Sequence, residues 1–336
     1  MTVTLKEIAK KLGLSTITVS RAISDRGSVK SATKKKIIDT ARHMGYVKNV
    51  TARNLALNRS SNSIGLIISN ISNPFYAKMT QIMQIEALKR GYSLTLFNTM
   101  EDDQIEKKAL QTLQEERCAG ALISAVGKSE EHILESVGRS FPVIMVNRRP
   151  KSKLLDYIVC DTRKGAQLAT AHLLMLGHKK IAHITGPEYT TSVEEKLKGY
   201  KRALALHGIA FNKDYVIHKS LTLEGGYEGV KELRAKFPEV TAVFVYCDWI
   251  AIGVMKALQE MNLRIPEDMS VIGFDNIDIA SSIRSPLTTV DLPVSILAQE
   301  AIKELVQKIE KGFKNHHTKM KLQPHLVIRA SCSTAN

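Results

Sequence analysis

The chain is short of the residues that would mark several protein classes. It has four cysteines in 336 residues, and Cys118, Cys160, Cys247 and Cys332 form no CxxC pair. That spacing argues against a zinc site and against a disulfide framework, and reads as four small buried hydrophobes. Aromatics are scarce at 5%, with a single tryptophan, Trp249. No apolar run approaches the roughly 18 residues of a membrane span. The N-terminus, MTVTLKEIAKK, is amphipathic and lacks the apolar block of a signal peptide. The chain is therefore expected in the cytoplasm, with no membrane partner. There is no GxGxxG and no GxSxG. The "AVGKS" stretch lacks the first glycine of a phosphate-binding loop, because Leu122 stands where it is needed. No histidine spacing suits a metal. An enzyme is not expected, nor is a cofactor.

What is present is positive charge, unevenly placed. The net charge is +15, and residues 1–60 carry thirteen Lys and Arg against three acids, Glu7, Asp25 and Asp39. A compact basic head on a nearly neutral body is the electrostatic footprint of a polyanion binder.

The head reads as three helices. Thr4 and Glu7 form a capping box ahead of Leu5, Ile8, Ala9 and Leu12 at helical spacing. Gly13 ends that helix, since glycine takes the left-handed turn without strain. Ser15 caps a second helix whose Val19, Ala22 and Ile23 face inward. Two short helices joined by a three-residue turn are a helix-turn-helix. The outward face of the second helix then holds Thr16, Ile17, Ser20 and Arg21. Hydroxyls bond phosphates or bases, Arg takes guanine bidentately, and an exposed Ile suits a thymine methyl. A third helix is expected from Ser31 as cap to Gly45, with Ile37, Ile38, Ala41 and Met44 inward. The stretch "NVTARNLALNRS" (49–60) has too little apolar surface to fold alone.

From Ile64 onward, short β-branched runs alternate with amphipathic helical patterns, from "IGLIIS" through "GALISAV" and "YIVCD" to "AVFVYC" and "SVIGFD". This alternation gives parallel sheets covered by helices on both faces. There are too many strands for one ordinary sheet, so two α/β lobes are expected. Ligands of such sheets sit beyond the carboxyl ends of the strands. Those positions are 70–76, 147–148, Asp161, 190–196, 247–249 and 275–276, rich in carboxylates, amides and rings. Such a set suits a polyhydroxylated ligand.

"VTLKEIAKKLGLSTITVSRAIS", "VKSATKKKIIDTARHMGYVKNVTARNLA", "SNSIGLIISNISNPFYAKM" and "IPEDMSVIGFDNIDIA…PLTTV" resemble the lac repressor (LacI/GalR) family over the whole length. The resemblance implies a helix-turn-helix domain over 1–48, a hinge helix or linker over 49–61 and a core over 62–336. That core would have periplasmic-binding-protein-like lobes, one over about 62–160 and 292–322, the other over about 161–291 and 323–336. It also implies a homodimer on a palindromic double-stranded operator. The DNA-contacting set becomes Thr4, Leu5, Ser15, Thr16, Ile17, Ser20, Arg21, Asn49, Ala52 and Leu55, with Leu55 as an apolar minor-groove wedge. Asn73, Phe75, Arg148, Asp161, Lys196, Asp248 and Asp275 match effector-contact positions, and Thr190, Ser192 and Trp249 join them from the strand-end reading. Three departures bear on the effector: Lys196 stands where Arg is usual, Cys247 where Asn is usual, and Asn147 where Asp is usual. Lys cannot make the bidentate fork of Arg. The expected function is a sequence-specific DNA-binding transcriptional regulator, a repressor, switched by a neutral sugar, a sugar acid or a sugar phosphate; the alternatives are control by a protein partner in place of a metabolite, and a sugar-binding protein without regulatory role.

Overall fold

The structure is a computed structural model that describes residues 3–24, 29–46, 61–312 and 317–335. It divides into two compact units, residues 1–61 and 62–336.

The first unit holds α1 (Leu5–Leu12), α2 (Thr16–Ser24) and α3 (Ser31–His43). Thr4 and Glu7 make the reciprocal capping box, with Glu7 N donating to Thr4 Oγ1 at 3.3 Å and Thr4 N to Glu7 Oε2 at 2.7 Å. Gly13 closes α1 at φ 66°. Thr18 N donates to Ser15 Oγ at 3.1 Å, so Ser15 caps α2. Ile8, Ala9, Val19, Ala22, Ile37 and Ala41 form the unit's core. Two expectations about α3 need correcting. Ser31 is its first residue, and Lys30 at the cap makes no side-chain bond. Ile38 lies on the exposed side, because the small core is already filled from Ile37 and Ala41.

The second unit is built from two parallel sheets. The first runs in the order β11-β5-β4-β3-β1-β2, from β1 (Ser63–Ile68), β2 (Ser93–Asn98), β3 (Gly120–Ile123), β4 (Val143–Val146), β5 (Tyr157–Cys160) and β11 (Lys319–Leu322). The second runs β7-β6-β8-β9, from β6 (Ile181–Thr185), β7 (Val216–His218), β8 (Ala242–Val245) and β9 (Ser270–Ile272). β10 (Thr289–Asp291) and β12 (His325–Val327) form an antiparallel pair. The strands β3, β4 and β8 are buried throughout, as expected where helices cover both faces.

Around the first sheet lie α4 (Pro74–Lys89), α5 (Asp103–Glu115) and α6 (Glu131–Gly138). Around the second lie α7 (Thr162–Met175), α8 (Thr191–Leu206), α9 (Leu223–Lys236) and α10 (Asp248–Glu260). α11 (Val294–Lys311) returns to the first sheet and packs on α4. The chain thus passes between the lobes after Cys160, after Asp291 and after Leu322. No helix among the described residues is long and apolar enough to cross a membrane.

Candidate functional site

The head presents one face of α2. Thr16 and Arg21 are exposed, Ile17 is 65% exposed and Ser20 is half-buried. Ser15 and Thr4 spend their hydroxyls on helix caps, and Leu5 packs against the head's core. Asn49, Ala52 and Leu55 lie outside the described residues.

The core brings polar groups of both lobes into one pocket at the carboxyl ends of the strands. From the first lobe come Asn73, Phe75 and Tyr76 at the start of α4, Glu101 beyond β2, and Asn147 and Arg148 beyond β4. From the second come Ser192 and Lys196 on α8, Tyr246 and Cys247 beyond β8, and Asp275 beyond β9. The loops that carry them are unusual in one respect. Met100, Glu101, Asn147, Asp275 and Asn276 have φ of 53°, 62°, 63°, 108° and 55°. Left-handed backbone at non-glycine residues costs of order 1–3 kcal/mol each and collects at functional sites.

Arg148 is the pocket's buried guanidinium. Its Nη1 and Nη2 donate to Glu101 Oε2 and Oε1 at 2.8 and 2.6 Å, and Nη1 also donates to Ala125 O at 2.9 Å. Burial disfavours its charge, but the fields of Tyr76 and Glu101 and the Glu101 hydrogen bonds outweigh that, and its pKa stays well above the ordinary value. Lys196 donates from Nζ to Tyr246 O at 2.6 Å and lies 3.8 and 3.7 Å from the ring centroids of Tyr246 and Phe274. Burial lowers its pKa, opposed by Asp275. Burial raises the pKa of Asp275, opposed by Lys196 and reinforced by Asp248. Ser192 Oγ and Tyr246 Oη are 2.6 Å apart, and Asn147 Nδ2 donates to Tyr76 Oη at 3.1 Å.

Four expected residues stand elsewhere. Asp161 caps α7 through Lys164 N at 2.9 Å and pairs with Lys321 at 2.8 Å, beside the strands that join the lobes. Asp248 is fully buried, and its carboxylate accepts from Thr289 Oγ1 at 2.6 Å and Ile277 N at 2.9 Å. Burial pushes its pKa up to about 7. Trp249 is half-buried and packs on the core, and Thr190 caps α8. Conversely, Glu101 and Tyr246 line the pocket without a signal in the sequence, and Tyr76 and Cys247 line it from strand-end positions that the sequence marks. Burial pushes the Cys247 thiol well above its ordinary pKa, so it contributes volume and not a nucleophile. Among the described residues no cluster of His, Cys, Asp or Glu could hold a metal.

The pocket encloses about 30 Å³, well under the roughly 300–1,000 Å³ of small-molecule sites. A ligand of more than a few atoms therefore needs the pocket to widen.

Residues 61–330 match the family described as periplasmic binding proteins and sugar binding domain of LacI family, and residues 4–49 match the bacterial regulatory proteins, lacI family. The chain belongs to the LacI family of bacterial regulatory proteins. As a LacI-family member it is a DNA-binding transcriptional regulator under effector control. It is 31% identical over 336 residues to the HTH-type transcriptional repressor PurR of Photobacterium profundum, with 99% of each chain covered. It is 32% identical over 330 residues to the ribose operon repressor of Escherichia coli K12, covering 98% of this chain and 99% of the relative. A sugar-binding LacI-family regulator from Escherichia coli, solved in complex with phosphate, shares 31% identity at a TM-score of 0.71, covering 82% of this chain and all of that one. These relatives are regulators and not enzymes, and so is this chain.

Proposed function

We propose that this LacI-family protein is a repressor that acts as a homodimer in the cytoplasm. It reads a palindromic operator with Thr16, Ile17 and Arg21, and its operator affinity is set by a small polyhydroxylated effector of the sugar class held between the lobes. The observation that carries this reading is the convergence of both lobes' strand ends on one polar pocket. There the carboxyl of Asp275 and the amides of Asn73 and Asn147 suit hydroxyl groups. Phe75 supplies an apolar ring of the kind that packs on a sugar's C–H face. A ligand shifts DNA affinity only if it binds the parted and closed lobes unequally. A pocket this small when closed makes that difference large.

The test has two stages. Operator DNA is first selected from a random pool by the full chain. Thermal shift is then run against sugars, sugar acids and sugar phosphates, and each hit is added to an operator gel shift. A hit is expected to raise the melting temperature and to change operator affinity. A chain that selects DNA but shifts with no compound of the panel would instead take its signal from a protein partner.

A further inference from the structure

We infer that Glu101 is a specificity-determining residue: it occupies the guanidinium fork of Arg148 and so closes the pocket to anions, restricting the effector to an uncharged ligand. This rests on the reading of the pocket as an effector site. It concerns a residue that lies 47 positions from Arg148 in sequence and meets it only in the fold.

The pocket holds two cations, each partly engaged: the Nη1 and Nη2 edge of Arg148 and one donor of Lys196 are taken, while Arg148 Nε is buried without a hydrogen-bond partner. Arg148 is 3% exposed and its fork is filled edge-on by one carboxylate. The paired Nη1 and Nη2 donors are the geometry through which Arg takes a carboxylate or phosphate bidentately. With Glu101 and Ala125 O in place, that edge offers nothing to a second anion. Lys196 is directed to Tyr246 O and held between two rings. Asp275 adds no cation to the pocket: burial and the neighbouring Asp248 raise its pKa to about 8, which favours an uncharged carboxyl beside Lys196. An incoming anion would have to displace Glu101 to take the edge of Arg148. A ligand hydroxyl needs only an acceptor, which Asp275 and the outer lone pairs of Glu101 supply.

The backbone supports the same assignment. Met100 and Glu101 are consecutive left-handed residues, at φ 53° and 62°. Neither is a glycine, so the loop holds a disfavoured conformation that carries the Glu101 carboxylate inward while leaving Met100 66% exposed. A charge on the surface would need no such turn. The Glu101 side chain keeps 22% of its surface, and that of Arg148 keeps 4%. Glu101 is thus the replaceable member of the pair and Arg148 the fixed one.

Inorganic phosphate is the probe. Trp249, the sole tryptophan, lies in the 62–336 unit, so its emission reports melting of that unit, and the Arg148→Met arm below separates phosphate in the pocket from phosphate on the basic head. At constant ionic strength, wild type is expected to show no saturable shift with phosphate. Glu101→Gln, which keeps the volume, and Glu101→Ala, which opens room, are expected to gain a saturable rise of about 2–4 °C. Arg148→Met added to Glu101→Ala should abolish that gain. A saturable shift in wild type overturns the assignment, as does its absence in both folded variants. If the variants fold only when phosphate is present, the uncompensated guanidinium is demonstrated directly. If they do not fold even then, Glu101 is structural and the inference falls. None of these outcomes depends on finding a sugar, so they stand apart from the panel that tests the effector reading.

Discussion

Asn276 donates from Nδ2 to Asp291 Oδ1 at 2.7 Å and so ties the loop that carries Asp275 to the last residue of β10. Three residues beyond Asp291 the chain has entered α11 and the other lobe. Arg329 Nη2 donates to Asn276 Oδ1 at 2.6 Å, so both polar atoms of the amide are used. The pocket residue Asp275 therefore sits on a left-handed turn clamped to the strand after which the chain crosses between the lobes.

The clamp predicts a local effect. Asn276→Gly keeps the backbone conformation available and removes the bonds. Asp291→Ala removes the acceptor from the opposite side. Each should speed hydrogen exchange at the Asp275 amide, which donates to Val290 O at 2.8 Å. The expected acceleration is roughly tenfold, the equivalent of about 1.4 kcal/mol for a hydrogen bond to a charged group. Unchanged exchange in both variants would show that backbone bonding alone holds the turn.

The head makes a separate prediction. Arg21→Ala should weaken binding to the selected operator by about 1–3 kcal/mol if Arg21 holds a guanine, with little change in binding to unrelated DNA. Exchanging Thr16 and Ile17 should alter the consensus recovered from random DNA. Ser15→Ala should instead lower the stability of the head by about 0.5–2 kcal/mol through loss of the cap. Recovery of one consensus by wild type and the exchanged variant would remove α2 from base reading.

The parts legible in the sequence are the local ones. The Thr4–Glu7 box, the Gly13 stop and the Ser15 cap follow from contacts within three residues, and the structure has them all. Strand ends also fix which loops reach the pocket. They do not fix which side chain points into it. Cys247 and Asp248 are adjacent at the start of α10, and only Cys247 faces the pocket, because Asp248 turns back to Thr289 and Ile277. At a helix N-terminus an acidic residue reads equally as ligand contact or as structural acceptor, and Asp161 and Asp248 are both acceptors. Glu101 carries no local signal. Its position depends on two left-handed residues and on an arginine from another strand. α11 escaped the strand–helix alternation although Leu297, Ala298, Ala301, Ile302 and Leu305 are all buried. It follows a crossing of the lobes, where the alternation breaks.

His183 makes the stability of the core depend on pH. It lies in β6, stacked on Phe244 at 4.5 Å, and its Nδ1 donates to Phe244 O at 2.9 Å. Nε2 is buried without a partner. Burial lowers its pKa from 6.5 to about 3. Between those values the unfolded chain takes the proton and the folded one refuses it, so stability present above pH 6.5 is lost as pH falls toward 3. Asp248 works the other way, because its raised pKa of about 7 makes the folded state the better proton binder above 3.8. Subtracting His183→Gln from wild type isolates the histidine. In urea titrations the difference should close by up to about 1.4 kcal/mol per pH unit on acidification below 6.5. A difference that stays constant with pH would mean that His183 takes up its proton in the folded protein as readily as in the unfolded chain.

Among the contacts that bridge the lobes, an exposed ion pair and a part-buried hydrogen bond should differ in strength and in salt dependence. Lys78 on α4 pairs with Asp278 beyond β9 at 2.6 Å, with side chains 39% and 83% exposed. Thr191 at the start of α8 donates from Oγ1 to Arg149 O at 2.8 Å, and the Thr191 residue is buried. An exposed ion pair is worth about 0.2–1 kcal/mol and is screened by salt. A part-buried neutral hydrogen bond is worth about 0.5–1.5 kcal/mol and is not screened. Spin labels at the exposed Lys107 on α5 and Lys231 on α9 would report the separation of the lobes. Lys78→Ala should raise the open-to-closed ratio by no more than about fivefold at low salt, and by nothing measurable at 1 M. Thr191→Val should raise it by more, and equally at both salt concentrations. The closed arrangement leaves about 30 Å³ in the pocket, so whichever contact holds it shut also limits ligand entry. An effect of Lys78→Ala that survives 1 M salt would show that Lys78 holds the lobes by packing its stem and not by its charge.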